Sequence, residues 1–214
     1  FPTNVPYVHK TDEERVENMP WVLGYDKPLI VTEKLDGTSC TYIVERKKHG
    51  KFEFYVSSRN VRQLAPDQEC YHETNIYWEL AKKYNIEELL TAYLRQHPEA
   101  DYVCIQGEGI GSVQGNPLKL KENDLYVFNF ITSDRGRWPS NEGRDYLKVL
   151  GFKWVPILDE NFYMPNDMEE FKKMATAKSV VNPQVMREGL VLRDPTTDLS
   201  FKNVSRVYLS KQKD

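Results

Sequence analysis

The sequence predicts an α+β domain built on antiparallel sheet, and three observations carry that prediction. Short apolar runs with period-two alternation recur along the 214 residues. Stretches with the 3.6-residue spacing of a helix are fewer. The composition, 40% apolar and 29% charged, belongs to a chain that buries a core. The length suits one domain, and no composition shift, repeat or low-complexity stretch marks a second.

In chain order, residues 1–28 hold four prolines and little periodicity, an irregular lead-in. Leu29–Thr32 is apolar and β-prone. Ser39–Val44 puts Cys40, Tyr42 and Val44 on one face, and Phe52–Ser57 repeats the style. Asn75–Gln96 has Ile76, Leu80 and Tyr84, then Ile86, Leu89, Leu90, Tyr93 and Leu94, which predicts a helix with a break near Asn85. Tyr102–Gln106 is a strand. Leu125–Thr132 is another, with Tyr126, Phe128 and Phe130 at alternate positions and so on one face. Ser140 caps a short helix that stops at Gly151, and Asn166 or Asp167 caps one running to about Lys178. Gly189–Arg193 and Ser200–Leu209 complete the strands.

Charge and cysteine content exclude several classes. With 29 Lys and Arg against 32 Asp and Glu, the net charge of −3 excludes holding nucleic acid by bulk positive charge. Cys40, Cys70 and Cys104, spaced 30 and 34 residues apart, form neither a disulfide framework nor a zinc site. They read as reduced thiols of an intracellular protein, cytoplasmic or nuclear. His9, His49, His72 and His97 have no metal-ligand spacing. The longest apolar runs are strand-sized, far below the roughly 20 residues of a membrane span. No signal peptide is visible, and the start at Phe1 reads as processed or cut.

Four short motifs carry chemistry. Glu33-Lys34-Leu35-Asp36-Gly37-Thr38 follows an apolar strand. A lysine that attacks phosphorus must be neutral, and at its ordinary pKa only about one in a thousand is neutral near pH 7.4. Burial, nearby cations or a metal held by a neighbouring carboxylate such as Asp36 supply that bias, and a glycine allows close backbone approach to a ligand. Gln106-Gly107-Glu108-Gly109 ends a strand. Arg187-Glu188-Gly189 runs into Leu190–Leu192. Ser200-Phe201-Lys202 precedes Asn203-Val204-Ser205. Each alone reads as readily as a turn or a strand end.

Their order is more specific. KxDG, a carboxylate motif, an aromatic motif, an EG-apolar strand and a lysine-bearing last strand occur in succession. Lys34 and Glu108 are 74 residues apart, Glu108 and Phe128 are 20, and Glu188 and Lys202 are 14. This series resembles the covalent nucleotidyltransferase superfamily of polynucleotide ligases and RNA capping enzymes. Gln114-Gly115-Asn116-Pro117-Leu118-Lys119-Leu120 and the ending SFKNVSRVYLSK look like ATP-dependent RNA ligases in particular. The resemblance covers roughly Val31 to Lys211.

The resemblance implies the nucleotidyltransferase (ligase/capping enzyme) fold: two antiparallel β-sheets with flanking helices and a nucleotide cleft between them. It implies that Lys34 takes AMP from ATP, that Glu33 accepts from the adenine amino group, and that Arg59 contacts the ribose region. Glu108 binds the ribose hydroxyls, Phe128 stacks on adenine, Glu188 is the fourth-motif carboxylate and Lys202 contacts phosphate. Asp36, Glu108 and Glu188 then form a sparse carboxylate set suited to Mg²⁺ or Mn²⁺, in part through water. The last motif departs from the superfamily pattern. The neighbours of Lys202 at one-residue spacing are Ser200 and Val204, not a second lysine, which leaves Arg206, Lys211 and Lys213 as candidates.

Charge distribution agrees with a nucleic-acid substrate. Residues 31–62 carry a net +3 and residues 187–214 a net +2, while residues 67–108 carry −6. The leading expectation is an RNA ligase that joins 3′-hydroxyl and 5′-phosphate ends, with ATP, a divalent metal and RNA ends or nicked duplex RNA as its partners. A DNA ligase or capping guanylyltransferase core is the alternative, although both usually carry an OB domain after the last motif. A catalytically silent nucleotide- or RNA-binding module of the same fold is another. The missing Met and the ending soon after Lys202 suggest that an OB-like domain was removed from the N-terminal side.

Overall fold

The computed structural model describes residues 10–63 and 75–211, so His9, Cys70, His72 and Lys213 lie outside the described residues. The lead-in supplies a two-residue strand, β1 (Glu14–Arg15), and two 3-10 turns. Then follow β2 (Leu29–Lys34), β3 (Thr38–Arg46), β4 (Phe52–Ser57), α1 (Ile76–Lys83), α2 (Ile86–Gln96), β5 (Tyr102–Ile110) and β6 (Asp124–Thr132). The remainder is β7 (Gly136–Arg137), α3 (Ser140–Val149), β8 (Lys153–Trp154), β9 (Ile157–Phe162), α4 (Met168–Lys173), β10 (Gly189–Arg193), β11 (Ser200–Val204) and α5 (Arg206–Lys211). The α+β class with two sheets is as predicted. Among the described residues no helix is long and apolar enough to cross a membrane.

The chain divides into two compact units. The first holds residues 37–115 and 121–154, and its sheet runs β4-β3-β5-β6-β7, with β8 beside β6 in parallel. Helices α1 to α3 cover one face. Trp78 of α1 meets Phe54 edge-on, and Tyr93 of α2 and Tyr146 of α3 pack on Phe130. The predicted break between α1 and α2 falls at Asn85, whose backbone is left-handed (φ 53°), a conformation that Asn tolerates. Asn75 caps α1 by accepting from the Trp78 N–H.

On the sheet's other face Ile43, Tyr55, Cys104 and Ile131 cluster at one end. In mid-sheet lies a buried polar row, Thr41, Gln106 and Asn129, directly opposite one another on three strands. Gln106 donates to the Thr41 hydroxyl (3.2 Å), and Asn129 donates to the Gln106 carbonyl oxygen (2.9 Å). Next to the row β6 carries a bulge. Asn129 pairs with Gln106 but Val127 pairs with Gly107, so Phe128 is the extra residue. A side chain at Gly107 would place its Cβ 2.6 Å from the Tyr126 carbonyl, which is why glycine stands there. The bulge corrects the sequence reading. Tyr126, opposite Glu108, and Phe130, opposite Ile105, do not share a face, and Phe128 between them is half-buried.

The second unit holds residues 12–36, 116–120 and 155–214. Its sheet runs β1-β11-β10-β2-β9, antiparallel except for the β1–β11 pair. Val16, Val22, Leu29, Val31, Met164, Phe171, Leu190, Leu192 and Phe201 form its core. Buried Lys172 of α4 donates to the Val204 carbonyl (2.7 Å), and Asn203 donates to the Phe171 carbonyl (2.8 Å), so α4 is fastened to β11.

Four elements differ from prediction. Ser140 is the first residue of α3 rather than its cap, a place that Pro139 takes. α4 stops at Lys173 rather than near Lys178, because the Arg187 guanidinium takes the Met174 and Ala175 carbonyls just past its end. The last strand stops at Val204, and the Ser205 carbonyl accepts from Leu209 to open α5, so Ser200–Leu209 is half strand and half helix. β9 has no period-two signal, since Asp159, Glu160 and Asn161 are consecutive and exposed.

Candidate functional site

β2, β10 and β11 bring the second unit's motif residues together. Gly189 lies opposite Lys34, and Val191 lies opposite both Thr32 and Lys202. Alternation then places Thr32, Lys34, Val191 and Lys202 on one face, with Val31, Glu33, Leu190, Leu192 and Phe201 on the core face. Lys34 Nζ stands 3.4 Å from Glu188 Oε1, and the Glu188 side chain is only 12% exposed. Burial pushes the Glu188 carboxyl up, and Asp36 adds to that, against the pull of Lys34 and Lys202. Burial pushes the Lys202 ammonium down, and the positive charges of Lys34 and Arg15 push the same way.

No motif of the sequence points to Arg15. β1 pairs in parallel with β11 and sets Arg15 beside Lys202, exposed. A two-residue edge strand in a proline-rich lead-in gives no periodic signal to find it by. Of the cations suggested by sequence to accompany Lys202, Arg206 makes a two-pronged pair with Glu169 instead.

Asp36 accepts a hydrogen bond from the Tyr208 hydroxyl of α5. The strand expected over Ser200–Leu209 hides this partnership, because Tyr208 belongs to α5 instead. Glu33 is 1% exposed and accepts from the Ser179 hydroxyl and the Val180 N–H.

The first unit carries the other predicted residues. Glu108 of β5 lies opposite Ser39 on one side and Tyr126 on the other, and its charge helps raise the Cys40 thiol and the Tyr77 phenol. Burial is the larger cause for both. Tyr77 shares a 2.8 Å hydrogen bond with Thr38. Phe128 is the bulge residue, and Arg59 is exposed in the loop after β4. Gly37 lies close against the Gly109 carbonyl, 2.1 Å from where a Cβ would sit. Cys40 and Cys104 are free and buried.

Among the described residues no group of three His, Cys, Asp or Glu side chains is arranged to hold a metal directly. Asp36 and Glu188 nevertheless repel one another electrostatically, and a divalent cation relieves such repulsion. Two carboxylates with the rest of the shell from water and phosphate suit Mg²⁺ or Mn²⁺.

A family model described as RNA ligase matches residues 27–207. Among solved structures, Naegleria gruberi RNA ligase with PPi is similar at 34% identity and a TM-score of 0.78, over 99% of this chain and 60% of that one. A lysine-to-alanine mutant of Naegleria gruberi RNA ligase with ATP and Mn gives 33% and 0.79, over 99% and 59%. A lysine-to-methionine mutant with AMP and Mn gives 33% and 0.79, over 99% and 60%. The chain spans about 60% of the length of these structures. No curated protein matches it.

Proposed function

Because the chain belongs to the RNA ligase family, we propose that it is the catalytic part of an ATP-dependent RNA ligase working through a lysyl-AMP intermediate. The observation that carries this is the Lys34–Glu188 pair at 3.4 Å with Lys202 on the same sheet face. The family match does not favour a DNA ligase or capping core. The ATP, AMP and Mn of the Naegleria structures support ATP as substrate and a divalent metal as cofactor. Substituted positions in those structures include a lysine and an aspartate two residues apart, and a glutamate and a lysine 14 apart. Those are the spacings of Lys34 with Asp36 and of Glu188 with Lys202.

In the first step Lys34 Nζ attacks the α-phosphorus of ATP. A P–N bond forms, the bond to the bridging oxygen breaks, and pyrophosphate leaves. An oxygen of the RNA 5′-phosphate then attacks the same phosphorus, Lys34 leaves, and a 5′-5′ pyrophosphate results. The 3′-hydroxyl finally attacks the RNA phosphorus and AMP leaves. Lys202 and Arg15 oppose the negative charge that gathers on phosphoryl oxygens, where preorganised charge acts most strongly. Bound Mg²⁺ or Mn²⁺ would supply further charge stabilisation, and Asp36 and Glu188 are the residues that would hold it. Glu188 also holds the Lys34 side chain in place. Glu108, Arg59 and Phe128 serve the ribose and adenine.

Incubation with ATP and Mg²⁺ or Mn²⁺ followed by intact mass tests the first step, and the expected result is one AMP added. Labelling by GTP in preference to ATP would return the capping alternative. No adduct in the presence of ATP binding would make the chain a silent module. Sealing of nicked duplex RNA, compared with an all-DNA nick, tests the remaining steps.

A further inference from the structure

Glu33 immediately precedes the proposed nucleophile, yet its side chain lies on the opposite face of β2. It pairs across the sheet with Leu190, a core residue, and is itself 1% exposed. Both carboxylate oxygens are engaged. Ser179 Oγ donates to Oε2 at 2.6 Å, and the Val180 N–H donates to Oε1 at 2.7 Å. Such charge-assisted bonds to a buried carboxylate are among the stronger ones. Ser179 is equally buried, and its hydroxyl oxygen accepts in turn from the Val181 (3.1 Å) and Asn182 (3.4 Å) N–H groups.

The network continues. Asn182 Nδ2 donates to the Leu118 carbonyl at 3.0 Å. Leu118 is buried within the 116–120 segment, which Asn116 closes by accepting from the Leu120 N–H (3.0 Å) and donating to the Leu120 carbonyl (2.9 Å). The Asn116-Pro117-Leu118-Lys119-Leu120 motif thus gains a physical role that the proposed chemistry alone did not give it. It is the far end of a chain of hydrogen bonds that begins one residue from Lys34.

We propose that Glu33 is a positioning residue rather than the reader of the adenine amino group. Its carboxylate fastens the strand bearing Lys34 to the 179–182 turn, and through Asn182 to the 116–120 segment. A base amino group would need an oxygen on Lys34's side of the sheet, and the Glu33 oxygens face away from it. The proposal deepens the ligase reading and rests on it for its kinetic consequence.

The test compares wild type, Glu33→Gln, Ser179→Ala and the double variant. Glutamine keeps the shape but turns an NH₂ group toward one of the two donors. In Glu33→Gln the single-turnover rate constant for the Lys34–AMP adduct should fall roughly ten- to hundredfold, the loss expected when a charged acceptor is withdrawn from buried donors. The half-saturating ATP concentration and the preference for ATP over GTP should stay within about twofold, since no contact to the base is lost. The double variant should be no slower than Glu33→Gln, because both substitutions open one link. Amide hydrogen exchange at 179–182 should quicken in each variant. A rate constant is unaffected by the fraction folded, so simple loss of stability would not imitate the result. If Glu33→Gln folds poorly, Ser179→Ala carries the same comparison.

Relaxed ATP-over-GTP preference, or a higher half-saturating ATP concentration with an unchanged rate constant, would overturn the proposal. So would unchanged exchange at 179–182. If wild type forms no adduct, it is the ligase reading that fails, and the exchange measurement still decides whether the clamp exists.

Discussion

The two sheets spend their polar residues in opposite ways. In the second unit, Lys34, Glu188 and Lys202 gather charge on one face, and burial drives the carboxyl up and the Lys202 ammonium down, both toward their neutral forms. In the first unit, the buried row of Thr41, Gln106 and Asn129 is uncharged and joined by hydrogen bonds of 3.2 and 2.9 Å. Charge held in an unfavourable setting costs stability and performs chemistry. A neutral, paired row costs little and fixes geometry. Substitutions around the neutral row should therefore act mainly on stability, and those within the charged group mainly on rate.

The largest expected effect is total. Lys34→Ala should form no adduct with ATP and divalent metal by intact mass, and retained labelling would move the nucleophile elsewhere. Lys202→Met comes next. Withdrawing one preorganised charge from a phosphoryl transfer should slow adduct formation by about 10²- to 10³-fold. Its stability should hold or rise slightly in urea unfolding, because the fold disfavours the Lys202 charge, although partial exposure screens the gain. A variant that lost both rate and stability would break the contrast. Arg15→Ala should slow the same step by roughly tenfold, as expected of a more exposed charge.

Around the neutral row the order should invert. Gly107→Ala puts a methyl 2.6 Å from the Tyr126 carbonyl and 2.9 Å from Leu125 Cδ1. The β6 backbone must shift, at a cost of about 1–3 kcal/mol in urea unfolding. Adduct formation at saturating ATP should change far less than in Lys202→Met. An unchanged unfolding midpoint would show that the bulge tolerates a side chain.

How much of this was legible in the sequence follows the same division. Local signals were faithful: Asn85 marks the break between α1 and α2, and the motif lysines and carboxylates of the second unit meet where the strands bring them. What escaped depends on pairing across the chain. Arg15 reaches Lys202 only through the parallel β1–β11 pair. Tyr126 and Phe130 look equivalent until the bulge inserts one residue between them and puts them on different faces. Glu33 looks like part of the Lys34 motif, but alternation sends it to the core side, where Ser179, 146 residues away, meets it. A motif fixes which residues are neighbours in sequence, and the sheet decides which of them share a face.

The smallest effect sharpens the contrast within the charged face itself. Burial and Asp36 raise the folded carboxyl of Glu188 above the ordinary range, and Lys34 and Lys202 only partly offset them. A raised folded value means that the protonated form is favoured by folding. The stability it brings is fully present below the unfolded carboxylate pKa, about 4.3, and is lost as pH rises through the folded value. Glu188→Gln stays neutral at every pH and escapes that loss. In metal-free buffer its unfolding free energy, relative to wild type, should therefore climb as pH rises from about 4 toward neutrality. Urea unfolding of both proteins at several pH values reads that difference directly. A difference that falls instead would mean that the ion pair with Lys34 outweighs burial, so that Glu188 is held as a comfortable charge. The second sheet would then resemble the first, a satisfied scaffold rather than a strained one.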